Sequence, residues 1–343
     1  MSGGFTTAAD IITHGHDYVK VDSQDIQRIV TQRTSGSTGE AKRVYCTAGD
    51  LRNTVDFFAW GMGPFCDRGE RTAVLLGNDA PDGLGQLVAR ALETMGTRPT
   101  LIGVPKDYTA VAEQLRRLDP AMLVGLPVQM RRLALLAPEL RPQSVLLSGD
   151  YVSESVKQTI RRVWDTTVYT HYGMTESGLA FAVQCPELCC HHIRPDEFFV
   201  EIVDPKTGAN LPDGSFGEVV FTTLKREAMP LKRYRTGDIS RLLPGDCPCG
   251  RKGQRLDRIL GRYEELCKPV SVCALDELLL SEDSIFDFSA VYEAGTLTVT
   301  IDGKRKGVRR AKLMLPEAFP ETKIVVEKGA VPPSAVKRSI IMK

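Results

Sequence analysis

The amino-acid sequence predicts an α/β fold, in which a large N-terminal domain with a doubly wound sheet and a β-rich subdomain precedes a small C-terminal α+β domain. Three observations support this prediction. As far as residue 147, short apolar runs alternate with helical stretches, which is the pattern of a doubly wound sheet. After about residue 198 the runs are short and separated by turns, which indicates a β-rich subdomain. Beyond Arg262, helices and a hairpin follow one another.

The individual elements are predicted from apolar runs that end in turn residues and from apolar residues that recur with the period of a helix. In the α/β part, strands are predicted at residues 26–33, 71–77, 100–104, 121–125, 144–147 and 167–169, and helices at 83–95, 108–118 and 128–136. In the later part, strands are predicted at 199–203, 217–223 and 323–326, a hairpin at 289–301, and helices at 275–280 and 307–315.

The change of pattern along the chain also predicts the domain boundaries. A chain of 343 residues can bury a sizeable core. A first domain is expected at residues 1–262, with its β-rich subdomain at about 198–260. A second, small domain is expected at residues 263–343.

The composition argues against two classes of partner. With 44 basic and 43 acidic residues the formal charge is +1, so no global field attracts nucleic acid. The N-terminus has no charged segment followed by a long apolar stretch, and no apolar run reaches spanning length. We therefore expect a cytoplasmic protein without nucleic-acid or membrane partners. Its oligomeric state stays open, with a homodimer as one alternative.

The segment from Thr34 to Lys42 combines small hydroxyl residues and glycines ahead of a lysine, which suits a loop around phosphate. Hydroxyl groups and consecutive amides donate hydrogen bonds, and Lys42 supplies positive charge. Five residues after Gly36 stands Ala41 rather than the glycine of a Walker A motif, which excludes the usual P-loop. A flexible Ser/Gly turn is the alternative. The candidate phosphate-binding residues are Thr34, Ser35, Gly36, Ser37, Thr38, Gly39 and Lys42.

Three further motifs follow this loop. Tyr172-Gly-Met-Thr-Glu176 comes after a predicted strand, at a sheet end where α/β folds bind ligands. It offers an aromatic face for a base, a hydroxyl for phosphate and an oxygen ligand for magnesium. Tyr234-Arg-Thr-Gly-Asp238 places a carboxylate just after a Gly turn, where it can accept hydrogen bonds from both ribose hydroxyls. Arg258-Ile-Leu-Gly-Arg262 stands where the small domain begins.

This succession of motifs resembles the adenylate-forming superfamily of AMP-binding acyl-CoA synthetases, and within it the phenylacetate-CoA ligase branch. The branch is indicated by the run from Lys225 to Asp238, Lys-Arg-Glu-Ala-Met-Pro-Leu-Lys-Arg-Tyr-Arg-Thr-Gly-Asp, and by Cys247-Pro-Cys-Gly-Arg251. The resemblance implies a large adenylate-forming N-terminal domain and a small, mobile C-terminal domain. Relative to the family, we expect a shortened N-terminus and a shortened C-terminal domain.

The resemblance also assigns residues to ATP. It implies that Ser35 to Lys42 hold the β and γ phosphates, that Tyr172 packs on adenine, and that Thr175 and Glu176 address the phosphate and Mg²⁺. Asp238 would bind the ribose hydroxyls. The implied nucleotide-binding residues beyond the phosphate loop are Ser148, Gly149 and Asp150 beside adenine, Tyr172, Gly173, Asp238, and Arg262 at the ribose or phosphate.

In this superfamily a lysine of the mobile domain bridges the carboxylate and the α-phosphate. Lys337 occupies that place, so the resemblance implies that it is catalytic together with Thr175 and Glu176. The family has a glycine before this lysine, whereas Val336 stands here, and a β-branched residue resists backbone geometry that glycine permits. A solvated, charged chain end is the alternative for Lys337.

The family's hinge is an acidic residue two positions after the arginine of Gly-Arg, which corresponds to Glu264. Rotation about this hinge would alternate adenylation with thioester formation. The family continues toward an Arg-Gly-x-Asn segment, whereas Leu266-Cys-Lys-Pro-Val-Ser271 stands in this chain. The difference concerns the second half-reaction.

Five of the nine cysteines lie in two short clusters, which favours metal over disulfides in a cytosolic chain. Some phenylacetate-CoA ligase relatives carry a zinc site with ligands in a similar order and spacing. The resemblance therefore implies a structural Zn²⁺ on Cys185, His192, Cys247 and Cys249, which would tie the β-rich subdomain to the main sheet. The alternate ligands, for which plain surface or packing roles are expected, are Cys189, Cys190 and His191.

Two further features have open interpretations. His171 could face the acyl pocket or the nucleotide, or it could be a core histidine satisfied by the backbone. The aromatic stretch Asp56-Phe-Phe-Ala-Trp-Gly61 could line an acyl site, although aromatic residues at helical spacing favour the core.

Together these features predict an ATP-dependent enzyme that converts an aryl or other small organic acid into an acyl-adenylate, releases pyrophosphate and passes the acyl group to coenzyme A. One alternative is an adenylating enzyme whose acceptor is a carrier protein, an amine or a cofactor hydroxyl. Another is a nucleotide-binding regulatory or scaffold protein without turnover. Val336 and the shortened ends favour the regulatory alternative, whereas the intact Glu176 and Asp238 count against it.

Overall fold

The computed structural model describes residues 4–33, 41–77, 80–332 and 338–343. Within these ranges the helices are α1 (Ala8–His14), α2 (Ala48–Met62), α3 (Leu84–Thr94), α4 (Tyr108–Leu118), α5 (Pro127–Leu136), α6 (Glu154–Trp164), α7 (Tyr263–Leu266), α8 (Val272–Leu279) and α9 (Arg305–Ala318). The strands are β1 (Ile26–Arg33), β2 (Ala41–Thr47), β3 (Arg71–Leu75), β4 (Arg98–Leu101), β5 (Met122–Gly125), β6 (Ser144–Leu147), β7 (Thr167–Tyr172), β8 (Ala182–Gln184), β9 (His191–Ile193), β10 (Phe198–Val203), β11 (Gly217–Thr223), β12 (Tyr234–Ser240), β13 (Arg255–Leu256), β14 (Gly261–Arg262), β15 (Ile285–Glu293), β16 (Thr296–Gly303), β17 (Lys323–Lys328) and β18 (Ile340–Met342). None of the described helices combines the length and the apolar composition that a membrane span requires.

The chain folds into two compact units, and each is assembled from separate stretches of the sequence. The first unit contains Met1–Pro64, Ala80–Met95 and His171–Tyr263, and the second contains Phe65–Asp79, Gly96–Thr170 and Glu264–Lys343. The predicted boundary between residues 262 and 263 lies one residue before the last passage of the chain from the first unit to the second. The division into a domain at 1–262 and a mobile domain at 263–343 stays a prediction.

The second unit contains a parallel sheet whose strands follow the order β7, β6, β5, β3 and β4. Strands β5 and β6 are buried along their whole length. The helices α4, α5 and α6 connect consecutive parallel strands. Because β4 extends the sheet from β3 in one direction and β5 to β7 extend it in the other, the sheet is doubly wound, as predicted.

The C-terminal part of the second unit is the predicted α+β element. Its strands form a sheet in the order β17, β16, β15 and β18, with an antiparallel central pair and a parallel neighbour on each side. Buried apolar residues of this part, such as Leu275 and Ile285, share one hydrophobic core with Leu147 and Trp164 of the α/β part. The residues after Glu264 therefore pack as an integral part of the second unit.

The first unit is mostly antiparallel. Strands β10, β11, β12 and β14 form a sheet in that order, which is the predicted β-rich subdomain. The end of β7 pairs with β8, β8 with β9, and β9 with β13, while β1 and β2 form a hairpin. Helix α2 starts at a capping box formed by Thr47 and Asp50 and buries Phe57 and Phe58.

Most predicted elements are confirmed, and the strands at 26–33, 144–147 and 217–223 and the helix at 108–118 have the predicted bounds. Two differences concern the candidate site. Strand β2 was not predicted, so Lys42 lies in a strand rather than in a loop. Strand β12 contains the whole motif from Tyr234 to Asp238, so Gly237 does not form the predicted turn between elements.

We predict that Arg131 is an important stabilising residue of the second unit. Its side chain on α5 is fully buried, and its guanidinium donates hydrogen bonds to the backbone carbonyl groups of Ile285 at 2.7 Å and Glu282 at 3.0 Å. In Arg131→Met both carbonyl groups lose their partner, so the free energy of unfolding should fall by about 2–5 kcal/mol in urea titrations. The control Arg116→Met removes a guanidinium that pairs with two surface glutamates and should lower the free energy of unfolding far less than Arg131→Met. Equal losses in the two variants would contradict the prediction.

Candidate active site

A buried ion pair joins Lys42 to Glu176 in the first unit. Lys42 lies on β2, Glu176 lies in the turn that follows β7, and both side chains are less than one tenth exposed. The hydroxyl group of Tyr234 on β12 donates a hydrogen bond to the same oxygen of Glu176, Oε1. Three segments that are far apart in the sequence thus meet at one carboxylate.

The surroundings keep Glu176 ionised. Burial by itself raises the pKa of this carboxyl group, but the Lys42 ammonium and the Tyr234 hydroxyl outweigh burial and lower the pKa below its usual range. Burial and the adjacent Glu176 carboxylate raise the pKa of Tyr234, so its hydroxyl remains a donor. Glu176 is therefore an anionic oxygen donor at neutral pH, the kind of ligand that Mg²⁺ prefers.

A second carboxylate of the first unit, Asp238, lies between a tyrosine and an arginine. The Tyr172 hydroxyl donates a hydrogen bond to Asp238 Oδ2 at 2.7 Å. Asp238 and Arg262 are paired residues of β12 and β14, and Arg262 Nε lies 3.7 Å from Asp238 Oδ1. Burial and the Asp238 carboxylate raise the pKa of Tyr172 well above its usual value. The register of β12 with β14 and the hydrogen bond from Tyr172 thus bring together three residues that the family resemblance assigns to the nucleotide.

Two glycines shape the backbone around these side chains. A Cβ on Gly173 would lie 2.3 Å from the carbonyl oxygen of Leu179, so the turn after Tyr172 leaves no space for a side chain. Gly237 has a φ of +75° and lies inside β12, next to a shift in the register with β11. The predicted Gly turn before Asp238 is therefore a bulge within a strand, since glycine adopts positive φ without strain.

The other predicted site residues lie on several elements of the two units. Ser148, Gly149 and Asp150 follow β6 in the second unit, where the Ser148 N–H donates to the Gly125 carbonyl group at 3.0 Å. Thr175 precedes Glu176 in the turn after β7, and its carbonyl group accepts a hydrogen bond from the N–H of Gly178.

The predicted hinge, Glu264, is exposed on α7. The residues that lie outside the described ranges are Thr34, Ser35, Gly36, Ser37, Thr38, Gly39 and Lys337.

The run from Lys225 to Pro230 contacts the start of α2, a role that was not predicted. Asp50 accepts hydrogen bonds from the backbone N–H groups of Glu227 at 2.9 Å and Ala228 at 3.1 Å, and the Glu227 carboxylate accepts one from the Thr47 hydroxyl at 2.5 Å. Asp50 also belongs to the capping box of α2. The spacing Thr47-x-x-Asp50 is a sequence signal for such a helix start. Part of the run that indicated the phenylacetate-CoA ligase branch therefore holds the start of α2 in place.

A cluster of cysteines and one histidine lies in the first unit. The ligand atoms of Cys185, Cys190, His192 and Cys247 are all within 4.8 Å of one another, and all four residues are buried. Cys247 Sγ is 3.4 Å from Cys185 Sγ and 3.8 Å from Cys190 Sγ, and Cys190 Sγ is 3.8 Å from His192 Nε2. Four ligands at about 2.3 Å from one zinc ion would be about 3.8 Å apart. The donor set and its spacing therefore fit a tetrahedral zinc site.

The composition of this cluster differs from the predicted set. Cys190, for which a plain surface or packing role was expected, is one of the four mutually close ligands, and Cys249 is not. Cys249 nevertheless approaches the cluster, because its Sγ is 3.1 Å from His192 Nε2. Cys189 Sγ lies 3.6 Å from Cys247 Sγ. His191 precedes His192 on β9, and successive side chains of a strand point to opposite faces.

His171 is a core residue of the first unit. It is buried at the end of β7, where its ring lies 4.9 Å from that of Phe58 and 5.9 Å from that of Phe57. Burial lowers the pKa of His171 to about 3. Phe57 and Phe58 are themselves buried, so these two residues of the aromatic stretch belong to the core, as their helical spacing favoured.

The fold is that of an adenylate-forming protein, and the comparison with known families agrees. The sequence model described as AMP-binding enzyme matches residues 16–224, and the chain belongs to this family. Among solved structures, a 2-hydroxyisobutyryl-CoA ligase in the postadenylation state has a TM-score of 0.78 at 18% identity, with 99% of this chain and 80% of that chain covered. The predicted superfamily and fold class are thereby confirmed.

Within the family, the chain is similar to phenylacetate-CoA ligases. It is 29% identical to the enzyme of Thermus thermophilus over 274 residues, which are 76% of this chain and 60% of that relative. It is 48% identical to the enzyme of Aromatoleum evansii over 97 residues, which are 28% of this chain and 21% of that relative. The chain thus spans about three fifths of the length of the Thermus thermophilus enzyme. The predicted resemblance to this branch is confirmed.

We predict that His171 makes the folded protein less stable in mild acid. An unfolded histidine has a pKa of about 6.5, whereas burial keeps the pKa of His171 at about 3, so the unfolded chain binds the proton more tightly as the pH falls below 6.5. Between pH 7 and pH 5 this difference should lower the free energy of unfolding by roughly 2 kcal/mol. His171→Gln should lose this part of the pH dependence in urea titrations. The exposed His14 provides the control variant His14→Gln, and the same pH dependence in both variants would refute the prediction.

Proposed function

We propose that this protein activates a small carboxylic acid with ATP, forms an acyl-adenylate with release of pyrophosphate, and transfers the acyl group to coenzyme A. One observation carries the proposal: two buried carboxylates on family motifs, Glu176 and Asp238, are each held by a cation and a tyrosine hydroxyl. Such carboxylates suit two parts of a bound nucleoside triphosphate: a metal ion on its phosphates and the hydroxyl groups of its ribose. The phenylacetate-CoA ligase relatives support the acid and acceptor classes, with aryl acids favoured.

The chemistry requires that two anions react with each other. A carboxylate oxygen attacks the α-phosphate, the bond to the β-phosphate oxygen breaks, and pyrophosphate leaves. Catalysis therefore depends on charge neutralisation and alignment. In this proposal the Lys42 ammonium, which neutralises Glu176 in the structure, offers positive charge to the phosphates together with the loop at residues 34–39. Lys337 bridges the carboxylate and the α-phosphate.

The nucleoside end of ATP is assigned to the second carboxylate. Asp238 accepts hydrogen bonds from the ribose hydroxyls, Tyr172 packs on adenine, and Arg262, whose side chain is 60% exposed, interacts with the ribose or the phosphate. Ser148, Gly149 and Asp150 border adenine. Glu176 is the proposed ligand of Mg²⁺, which when bound neutralises phosphate charge.

The acceptor step is proposed to use residues 263–343 as a mobile domain with Glu264 as its hinge. Coenzyme A is the favoured acceptor because the phenylacetate-CoA ligase branch is the one that the sequence matches. ATP and coenzyme A are cytoplasmic metabolites, and all nine cysteines are free, so we propose the cytoplasm as the location.

A pyrophosphate-release assay across a panel of acids, with and without coenzyme A, tests the proposal. We expect release that depends on ATP, Mg²⁺ and one of the acids, and a thioester when coenzyme A is added. Pyrophosphate without a thioester would favour a carrier protein, an amine or another acceptor. No pyrophosphate and no exchange of pyrophosphate into ATP with any acid would contradict adenylation and favour a regulatory nucleotide-binding protein.

We predict that Lys337→Ala lowers the rate of adenylation by roughly 100-fold or more, because a positive charge that aligns two anions in the transition state is lost. ATP binding, measured by equilibrium titration, should change much less. Lys343→Ala removes an exposed lysine of the same chain end and should retain the wild-type rate. A wild-type rate in Lys337→Ala would exclude this lysine from the mechanism.

We also propose a structural zinc ion in the cysteine cluster. Cys185, Cys190, His192 and Cys247 would hold it, with Cys249 as a competing fourth ligand near His192. Four protein ligands leave no position for a catalytic water. The ion would link β8 and β9 to the segment that follows β12.

Purified protein should accordingly contain about one zinc ion per chain. Cys247→Ser should lower both the zinc content and the temperature of unfolding, because Cys247 Sγ lies close to two of the other proposed ligands, Cys185 and Cys190. Cys267→Ser, at an exposed cysteine outside the cluster, should change neither. Comparison of Cys190→Ser with Cys249→Ser identifies the fourth ligand. Loss of zinc from Cys247→Ser without a lower unfolding temperature would argue against a structural role.

A further inference from the structure

The guanidinium of Arg338 lies among three carboxylates of the second unit. Its Nη2 donates a hydrogen bond to Asp276 Oδ2 at 2.6 Å, its Nη1 lies 3.6 Å from Asp287 Oδ1, and its Nε lies 3.5 Å from Asp150 Oδ2. The backbone N–H of Arg338 also donates to Asp150 Oδ2, at 3.3 Å. The Arg338 side chain is 16% exposed and that of Asp276 is 1% exposed. Asp150 thus binds both the side chain and the backbone of Arg338.

The three carboxylates come from separate elements. Asp150 follows β6, Asp276 lies on α8, and Asp287 lies on β15. Arg338 stands just before β18, which pairs in parallel with β15. Arg338 therefore fixes the point at which the chain enters its last strand. The residue before it in the sequence is Lys337, which the family resemblance assigns to catalysis.

Stability alone does not account for this cluster. Three carboxylates surround one guanidinium, and burial raises the pKa of Asp276 to about 7 and raises that of Asp287. Apolar residues of similar size often replace a buried ion pair without loss of stability. The contact with Asp150 differs from the other two, because Asp150 belongs to the segment that is assigned to adenine.

We propose that Arg338 is a positioning residue for the first half-reaction: by binding Asp150, it holds the chain next to Lys337 against the adenine-binding segment. This inference rests on the proposed function. The N–H that binds Asp150 belongs to the peptide bond that joins Lys337 to Arg338, so the contact lies directly beside the catalytic lysine in the chain. A displacement of about 1 Å at a reacting group can reduce a rate by roughly 100-fold.

The test measures the two half-reactions separately in the full-length protein. Arg338→Gln should lower kcat for adenylation by roughly 10- to 100-fold, measured by exchange of pyrophosphate into ATP, while KM for ATP changes by less than about threefold. Thioester formation from chemically supplied acyl-adenylate and coenzyme A should stay within about threefold of wild type. Arg338→Lys, which keeps the charge and loses the planar fork, should be intermediate. Arg162→Gln is the matched control, because Arg162 pairs with Asp283 on the surface of the same unit.

A double-mutant cycle separates positioning from a general structural role. If Arg338 acts through Asp150, the kcat loss of Asp150→Asn combined with Arg338→Gln should be no larger than the larger single loss. Additive losses would overturn the inference. A loss in Arg338→Gln that affects both half-reactions equally and parallels a lower unfolding temperature would also overturn it.

A readout without turnover covers the case in which Arg338→Gln is poorly folded. Amide hydrogen exchange of the peptide that contains β18 should be faster in Arg338→Lys than in wild type, and unchanged in Arg162→Gln. Equal exchange in Arg338→Lys and wild type would contradict the anchoring contact. The proposed function has a separate test, because absence of pyrophosphate exchange in the wild type would contradict adenylation itself, whatever the exchange of β18 shows.

Discussion

The burial of the Glu176 carboxylate is the interaction on which the first unit depends. An ionised carboxylate can be buried only if a cation and hydrogen-bond donors replace its water. Lys42 and Tyr234 are those partners, and they come from β2 and β12. The hairpin, the turn after β7 and the antiparallel sheet must therefore meet at one place. The same ion pair holds β2, the strand that follows the proposed phosphate-binding residues 34–39 in the sequence.

The two carboxylates of the first unit are arranged alike although they lie on different elements. Each is largely buried, each accepts a hydrogen bond from a tyrosine, and each has one basic partner. Polar groups that are already held in place need little rearrangement when a ligand binds, and such electrostatic preorganisation is the largest single contribution to rate enhancement in many enzymes. For Glu176 the basic partner is itself buried, whereas for Asp238 it is the exposed Arg262. The cluster that is proposed to bind the nucleoside is therefore the more accessible of the two.

Much of the fold could be predicted from the sequence because its signals are local. The parallel strands are apolar runs between turn residues, and α4 has both a helical period and Asp107 as its N-cap. Contacts between distant segments leave no such pattern. The presence of Cys190 rather than Cys249 among the four mutually close residues of the cysteine cluster depends on how the segment between β8 and β9 approaches Cys247, and Arg338 and Asp150 are separated by 188 positions. The bulge at Gly237 is intermediate, since the glycine is visible in the sequence but its place inside a strand is set by pairing with β11.

The hydrophobic core of the second unit determines what any rearrangement of residues 263–343 would require. Leu275, Ile285 and Leu315 are fully buried in the same core as Trp164. Each such side chain that moved into water would cost about 1.5–3 kcal/mol. A ligand can shift a conformational equilibrium only by the difference between its affinities for the two states. Thermal fluctuation alone would therefore rarely pull residues 263–343 out of this core. The substrate or intermediate that occupies the protein would set the timing of such a movement.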